Sequence, residues 1–329
     1  MGNDIRGAIK KLKLLTYNSK SEAESFRRKI DDAFSTAFLP NKVECSEITY
    51  GGVVCDVLSP EIYASNRIML YVHGGSFVGG SRAAYRAFCS SLAFKSCSRV
   101  VVPEFRLSPT SPYPAPVEDI QSVFRNLWTE EQVNMSISGD GELREPEIIV
   151  AADGSAAGIA LALIFNLREK YRKCIKNVVL FSPWLSLDIS DYAKSPMRKK
   201  DKIISEEILK KSAASYTYYE NLKCPFVSPV FASDEQLKDF PPVFIQMGEN
   251  EILLEVAKKF AERLRSLGNE VTLDVWPDMV FMFQMADEFF HESHLAMDKV
   301  GFELTKERNI DSGKIENLPK LEDSLKSEA

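Results

Sequence analysis

The chain of 329 residues is poor in histidine, with only three, and its six cysteines (Cys45, Cys55, Cys89, Cys97, Cys174 and Cys224) are scattered with no C-x-x-C pair. That scatter argues against a zinc ribbon and a dithiol redox motif, so the cysteines read as buried thiols and neither metal nor cofactor is expected. No apolar run approaches the roughly 20 residues that span a bilayer, and no internal repeat is present. Basic residues do not predominate either: 41 Lys and Arg stand against 47 Asp and Glu, a net charge of -6. A nucleic-acid partner is therefore not expected, and the one basic cluster, Arg198-Lys199-Lys200 with Lys202, reads as a solvated loop. Polar and basic residues run through Lys13 where a secretory signal would need an apolar core. Met1-Gly2 is followed by Arg6 where a myristoylation signal wants Ser or Thr, so no stable membrane anchor is expected and the expected compartment is the cytoplasm.

What the sequence does contain is an alternation of apolar runs and helical segments. Runs at Ile68 to Val72, Val100 to Val102, Ile148 to Ala152, Val178 to Phe181, Val243 to Met247 and Val271 to Trp276 are rich in β-formers. Helical patterns fall between them at 83–97, 117–128, 155–171, 205–218, 253–267 and 284–304. This order predicts an α/β fold, a mostly parallel central sheet with helices on both faces. Val43 to Tyr50 and Val53 to Leu58, joined by Gly51-Gly52, predict a hairpin. Phe26, Ile30, Phe34 and Phe38 recur every fourth residue, which predicts an amphipathic helix from Ser19 to about Leu39, ended by Pro40. The expected domains are an N-terminal helical cap segment over 1–40, a main domain over 41–304 with a helical cap insertion at about 190–229, and a polar, disordered tail over 305–329.

The first apolar run ends in His73-Gly74-Gly75-Ser76-Phe77. Paired glycines at a strand end present backbone N–H groups to a ligand. A phosphate loop is excluded because Gly80 precedes Ser81 where a lysine is needed to reach the phosphates. An oxyanion-binding loop for acyl transfer remains.

From Ile68 to Leu304 the chain resembles the hormone-sensitive-lipase-like carboxylesterases and lipases of the α/β-hydrolase fold. His73-Gly74-Gly75-Ser76 matches the family's His-Gly-Gly-Gly with its last glycine changed. Pro103-Glu104-Phe105-Arg106-Leu107-Ser108-Pro109 and Tyr113-Pro114-Ala115-Pro116 match the segment that follows it, and Ser182-Pro183-Trp184-Leu185 and Ser228-Pro229 match later blocks. The resemblance implies a Ser-His-Asp triad, and all three positions differ. In Ala152-Asp153-Gly154-Ser155-Ala156-Ala157 the ungapped match puts Gly154 at the nucleophile and moves the hydroxyl to Ser155. At the start of a helix that shift turns the side chain by about 100° and advances it about 1.5 Å. Asn250 stands at the acid position, and Phe281 at the histidine, where no proton acceptor is then available.

Other bases are scarce. His291 and His294 are placed a few turns into the last helix on a surface face; His73 is expected to shape the loop, Asp153 to hold the turn, and Glu249 and Glu251 to be exposed loop carboxylates. The expectation is a catalytically inactive relative that keeps a pocket for a small acyl or carboxylate ligand. In a ligand-binding loop of His73, Gly74, Gly75 and Ser76 with Ser155, donors on Gly74, Gly75 and Ser155 would hold the ligand's oxygen, and Phe77, Trp184, Phe281 and Phe283 would form the wall. Two alternatives stand beside it: an active hydrolase of short acyl esters using Ser155, and a structural or interaction protein with a filled pocket. A homodimer through Val271 to Trp276 is a further expectation, as an edge strand invites pairing.

Overall fold

The computed structural model describes residues 2–18, 20–35, 42–64, 66–137 and 145–306. Eight strands form one sheet: β1 (Val43–Tyr50), β2 (Val53–Pro60), β3 (Arg67–Val72), β4 (Arg99–Pro103), β5 (Glu147–Asp153), β6 (Ile175–Phe181), β7 (Val243–Gly248) and β8 (Val271–Trp276). Their order is β1-β2-β4-β3-β5-β6-β7-β8. The predicted hairpin pairs antiparallel, and β2 pairs antiparallel with β4. From β4 to β8 all pairs are parallel. Every residue of β3 and of β7 is buried. Since successive side chains point to opposite faces, both faces there must be covered.

The cover comes from ten helices among the described residues: α1 (Gly2–Leu12), α2 (Ala23–Phe34), α3 (Arg82–Ser96), α4 (Ala115–Ile137), α5 (Ala156–Asn166), α6 (Glu169–Arg172), α7 (Glu206–Tyr216), α8 (Asp234–Leu237), α9 (Leu254–Ser266) and α10 (His291–Thr305). Local chemistry sets several of their starts. Ser81 and Ser205 cap α3 and α7, their side chains accepting the N–H of Ala84 and Ile208. In α5 the first nine residues are all buried, as befits a nearly all-apolar helix against the sheet. No described helix is long and apolar enough to cross a membrane.

Four expectations need correction. The helix over 155–171 stops at Asn166, where Leu167 turns extended, and α6 follows separately. The last helix begins at His291 and not near Gln284: Met282 is in the left-handed region, Phe283–Met285 make a single 3-10 turn, and Ser293 Oγ takes the carbonyl of Phe283. His291 and His294 are therefore in its first turn, exposed as expected. The N-terminal region holds two helices. α1 was not foreseen, and α2 buries Phe26, Ile30 and Phe34 while Phe38 and Pro40 lie outside the described residues, as does most of the predicted tail.

The parallel strands all end at one edge of the sheet, which brings the β3 loop, the β5–α5 turn, the β6 end and the loops after β7 and β8 together. Leu70, fully buried, pairs with Val101 and Val150 at the centre of that array. Leu70→Ala is expected to lower unfolding free energy by about 2–5 kcal/mol in urea denaturation. A loss below about 1 kcal/mol would mean that the centre of the sheet is not the rigid base described here.

Candidate active site

At the end of β5, Asp153 is the organising side chain. Its Oδ1 accepts the hydroxyl of Tyr71 at 2.8 Å and the N–H of Gly74 at 2.7 Å, and its Oδ2 accepts the hydroxyl of Tyr85 at 2.9 Å. Burial pushes its pKa up to about 6 although these three donors favour the ionised form. Asp153 thus joins the β3 loop to the β5–α5 turn, in the turn-holding role expected of it.

Gly154 forms the tip of that turn with φ +48°, and its N–H donates to the carbonyl of Phe181. Only glycine adopts this conformation without strain. A second constraint comes from across the cleft. A Cβ added to Gly154 would lie 3.1 Å from Cζ of Phe281, so the benzyl ring occupies the space over the tip. Ser155 is the N-cap of α5, and its Oγ accepts the N–H of Phe77 at 3.0 Å.

The loop after β3 is more committed than the sequence suggested. The N–H of Gly74 is held by Asp153 and that of Phe77 by Ser155, so neither donor faces a ligand. Gly75 has φ +113°, and a Cβ there would meet the carbonyl of Gly79 at 2.3 Å, which is why the loop needs a glycine there. Ser76, also at positive φ, uses its Oγ to accept the N–H of Tyr17 at 3.1 Å. This bond fastens the N-terminal segment to the loop. His73 is stacked on Phe105 at 4.4 Å and on Tyr85 at 5.3 Å, with Nδ1 3.0 Å from the Gly74 carbonyl. Burial drives its pKa down to about 4, so it is neutral at pH 7.

Of the expected wall residues, Phe77 and Trp184 meet each other, and Phe283 packs on Trp276. Phe77 stacks on Tyr216 of α7 at 4.0 Å and meets Trp184 edge-on at 6.1 Å. Phe283 lies 5.7 Å from Trp276. Phe77, Phe281, Trp184, Ser155 and Phe283 are each no more than 3% exposed. These side chains pack closely and expose almost no surface. A cavity of about 480 Å³ lies elsewhere, against α1, α2, α3 and α10, and no residue of the elbow lines it.

Behind the tip, Asn250 is half-buried at the end of β7, and its N–H donates to the carbonyl of Met279. Glu249 is exposed as expected, but Glu251 is fully buried. Its Oε1 accepts the Ser182 hydroxyl at 2.8 Å and the N–H of Gly248. Burial lifts its pKa to about 8, helped by nearby Asp201. The signal for this was present: Glu251 is followed by Ile252-Leu253-Leu254, an apolar run in which a carboxylate has little access to water. Tyr216 and Tyr17 were also missed, since their contacts join segments remote in sequence.

The contact between Phe281 and Gly154 generates a test. Gly154→Ser is expected to destabilise by about 1–3 kcal/mol, from the backbone conformation and the crowded ring. Combined with Phe281→Ala in a double-mutant cycle, it should show a favourable coupling of about 1 kcal/mol in urea denaturation. Strict additivity would show that the ring does not occupy the space of a side chain at 154.

The comparisons agree with this architecture. An esterase from Acinetobacter venetianus is 27% identical over 256 residues, 78% of this chain and 80% of that one. An acetyl-hydrolase from Streptomyces hygroscopicus is 26% identical over 71% of this chain and 74% of its own length. A crystal structure of an esterase from the bacterial hormone-sensitive lipase family superposes with a TM-score of 0.80 at 25% identity, covering 92% of this chain and 98% of that one. A hormone-sensitive lipase from a metagenome library gives 0.76 at 25% identity, over 88% and 94%. The alpha/beta hydrolase fold family matches residues 69–285, and the chain belongs to that family as a relative of the hormone-sensitive-lipase-like esterases.

Proposed function

We propose that this chain is a catalytically silent relative of those esterases, whose role rests on its shape and its docking surfaces and not on turnover. The observation that carries the reading is the Phe281 ring against Gly154, 3.1 Å from where a Cβ on residue 154 would stand. Gly154 offers no hydroxyl and Phe281 no proton acceptor, and Asn250 has no charge to stabilise an imidazolium. Ser155 as a substitute nucleophile is disfavoured because its recorded partner is the Phe77 N–H and no histidine neighbours it: His73 is stacked under the loop, and His291 and His294 are exposed on α10. Activity left after loss of the triad would be roughly 10³–10⁴ over water.

Binding of a small acyl or carboxylate ligand is the second reading, and one observation favours it. Trp184 Nε1 and Tyr216 Oη are buried without a hydrogen-bond partner, and both rings enclose Phe77. An oxygen-bearing ligand that displaced Phe77 would satisfy both donors. For a protein partner, β8 is the natural surface: it is an edge strand, half-exposed along nearly its whole length, which supports pairing as a homodimer.

Incubation with a fluorophosphonate probe, followed by mass spectrometry, tests the central claim. No stoichiometric label is expected, and p-nitrophenyl acetate turnover should match that of a Ser155→Ala variant. Full labelling at Ser155 would overturn it. Light scattering should report a dimer that Leu273→Lys, on β8, converts to monomer; a wild-type monomer at high concentration would remove the dimer from the proposal.

A further inference from the structure

The cavity of about 480 Å³ against α1, α2, α3 and α10 is separate from the elbow, and the sequence of α3 accounts for it. Ala84, Ala87, Phe88 and Ser91 follow at the spacing of one helical face, and three of the four are small. α10 packs on the end of α3 at Gly301, where an added Cβ would meet the Lys95 carbonyl at 2.5 Å. Along the small residues a gap remains, and Phe34 of α2, Phe88, Met285 and Met297 give it apolar walls. All four are buried.

One polar group on this wall lacks a partner. Gln284, 2% exposed and part of the lining, donates Nε2 to Oε1 of Gln246 at 2.9 Å, while its own Oε1 is buried without a hydrogen bond. The neighbours force that orientation. Gln246 gives its Nε2 to the carbonyl of Ala296 and to the carboxylate of Asp274, which is paired with Lys299, and neither of these acceptors can donate. Gln246 must then turn its oxygen to Gln284, and Gln284 its nitrogen to Gln246. With that nitrogen committed to β7, Gln284 has an acceptor alone to offer the cavity. A buried acceptor left unpaired costs free energy that a donor recovers.

Charge at the rim is already balanced. Lys11 reaches from α1 to both carboxylate oxygens of Glu288, at 2.7 and 2.6 Å, and Lys95 pairs with Asp298. Asp287 and His294 are exposed to solvent. A charged ligand would exchange its hydration for apolar walls and lysines that have partners, a loss that a neutral molecule does not suffer.

We propose that this cavity is a binding site for a neutral, largely apolar molecule carrying one hydroxyl, an alcohol or a phenol, whose O–H donates to Gln284 Oε1 while its chain or ring lies between Phe34, Phe88, Met285 and Met297. The site lies outside the reading proposed for the elbow and requires neither an active nor a silent Ser155.

The test is a titration of the full chain with phenylbutanol and with its methyl ether, which lacks the donor, followed by NMR of isotope-labelled methionine methyl groups. Saturable shifts are expected at Met285 and Met297, assigned through Met285→Leu and Met297→Leu, while Met69 in β3 and Met282 beside the elbow stay in place. The alcohol should bind roughly tenfold or more tightly than the ether, since the ether leaves the Gln284 acceptor unpaired. Phenylbutyrate, the carboxylate of the same length, should bind more weakly than the alcohol. Ala87→Phe, which fills the gap from a half-buried position on α3, should remove the shifts; if it fails to fold, Ala33→Phe on α2 serves instead. Lack of saturable shifts at Met285 and Met297, shifts centred on Met282, equal affinity for alcohol and ether, tighter binding of phenylbutyrate, or undiminished binding in the filled variant would each overturn the site. None of these outcomes bears on labelling at Ser155, so failure of this site and failure of the silent-enzyme reading are separable.

Discussion

Asp153 is the constraint on which the rest of the site depends. A single carboxylate, fully removed from water, receives two tyrosine hydroxyls and a backbone N–H from three places in the chain. Removing one donor would leave a buried acceptor short of a bond at a cost of about 1–3 kcal/mol, so the arrangement is held jointly. With Asp153 fixed, the Gly154 tip, the β3 loop and the start of α5 have little freedom relative to one another. The parallel sheet supplies the second half of the constraint, since strands running one way must deliver their following loops to one edge.

Within that frame the side chains around the elbow fit one another. Gly154 carries no side chain, and the Phe281 ring lies against it. The hydroxyl of Ser155 accepts the N–H of Phe77, and the hydroxyl of Ser76 accepts that of Tyr17. These contacts close the interior around the elbow while leaving Trp184 Nε1 and Tyr216 Oη without partners.

Much of this was legible in the sequence. The six apolar runs each became a strand, and the hairpin around Gly51-Gly52 formed with both arms where expected, because strand burial leaves a strong pattern of residue types. The meeting of Gly154, Phe281 and Trp184 was also readable, through motifs that share one edge of the sheet. Glu251 was misjudged because a loop carboxylate is exposed far more often than not, and its burial is decided by Ser182, 69 residues away. The start of α10 was placed early for a related reason: Gln284 to Phe290 has helical composition, yet Met282 and Ser293 close a turn there that composition does not reveal.

The closure of the recess also bounds how strongly it could hold a ligand. Opening it separates the Phe77–Tyr216 stack, and movement of the cap would break the bonds that Lys211 makes to the carbonyls of Asn18 and Ser21. An aromatic pair contributes about 0.5–1.5 kcal/mol and each charged hydrogen bond about 1.5–3, less where solvent screens it. An opening cost near 3 kcal/mol leaves the open form at somewhat under ~1% of molecules and weakens apparent affinity by more than ~100-fold. A ligand of the size that satisfies Trp184 and Tyr216 would have to bind the open form tightly to overcome that factor. Such a site would discriminate between ligands by the free energy of opening.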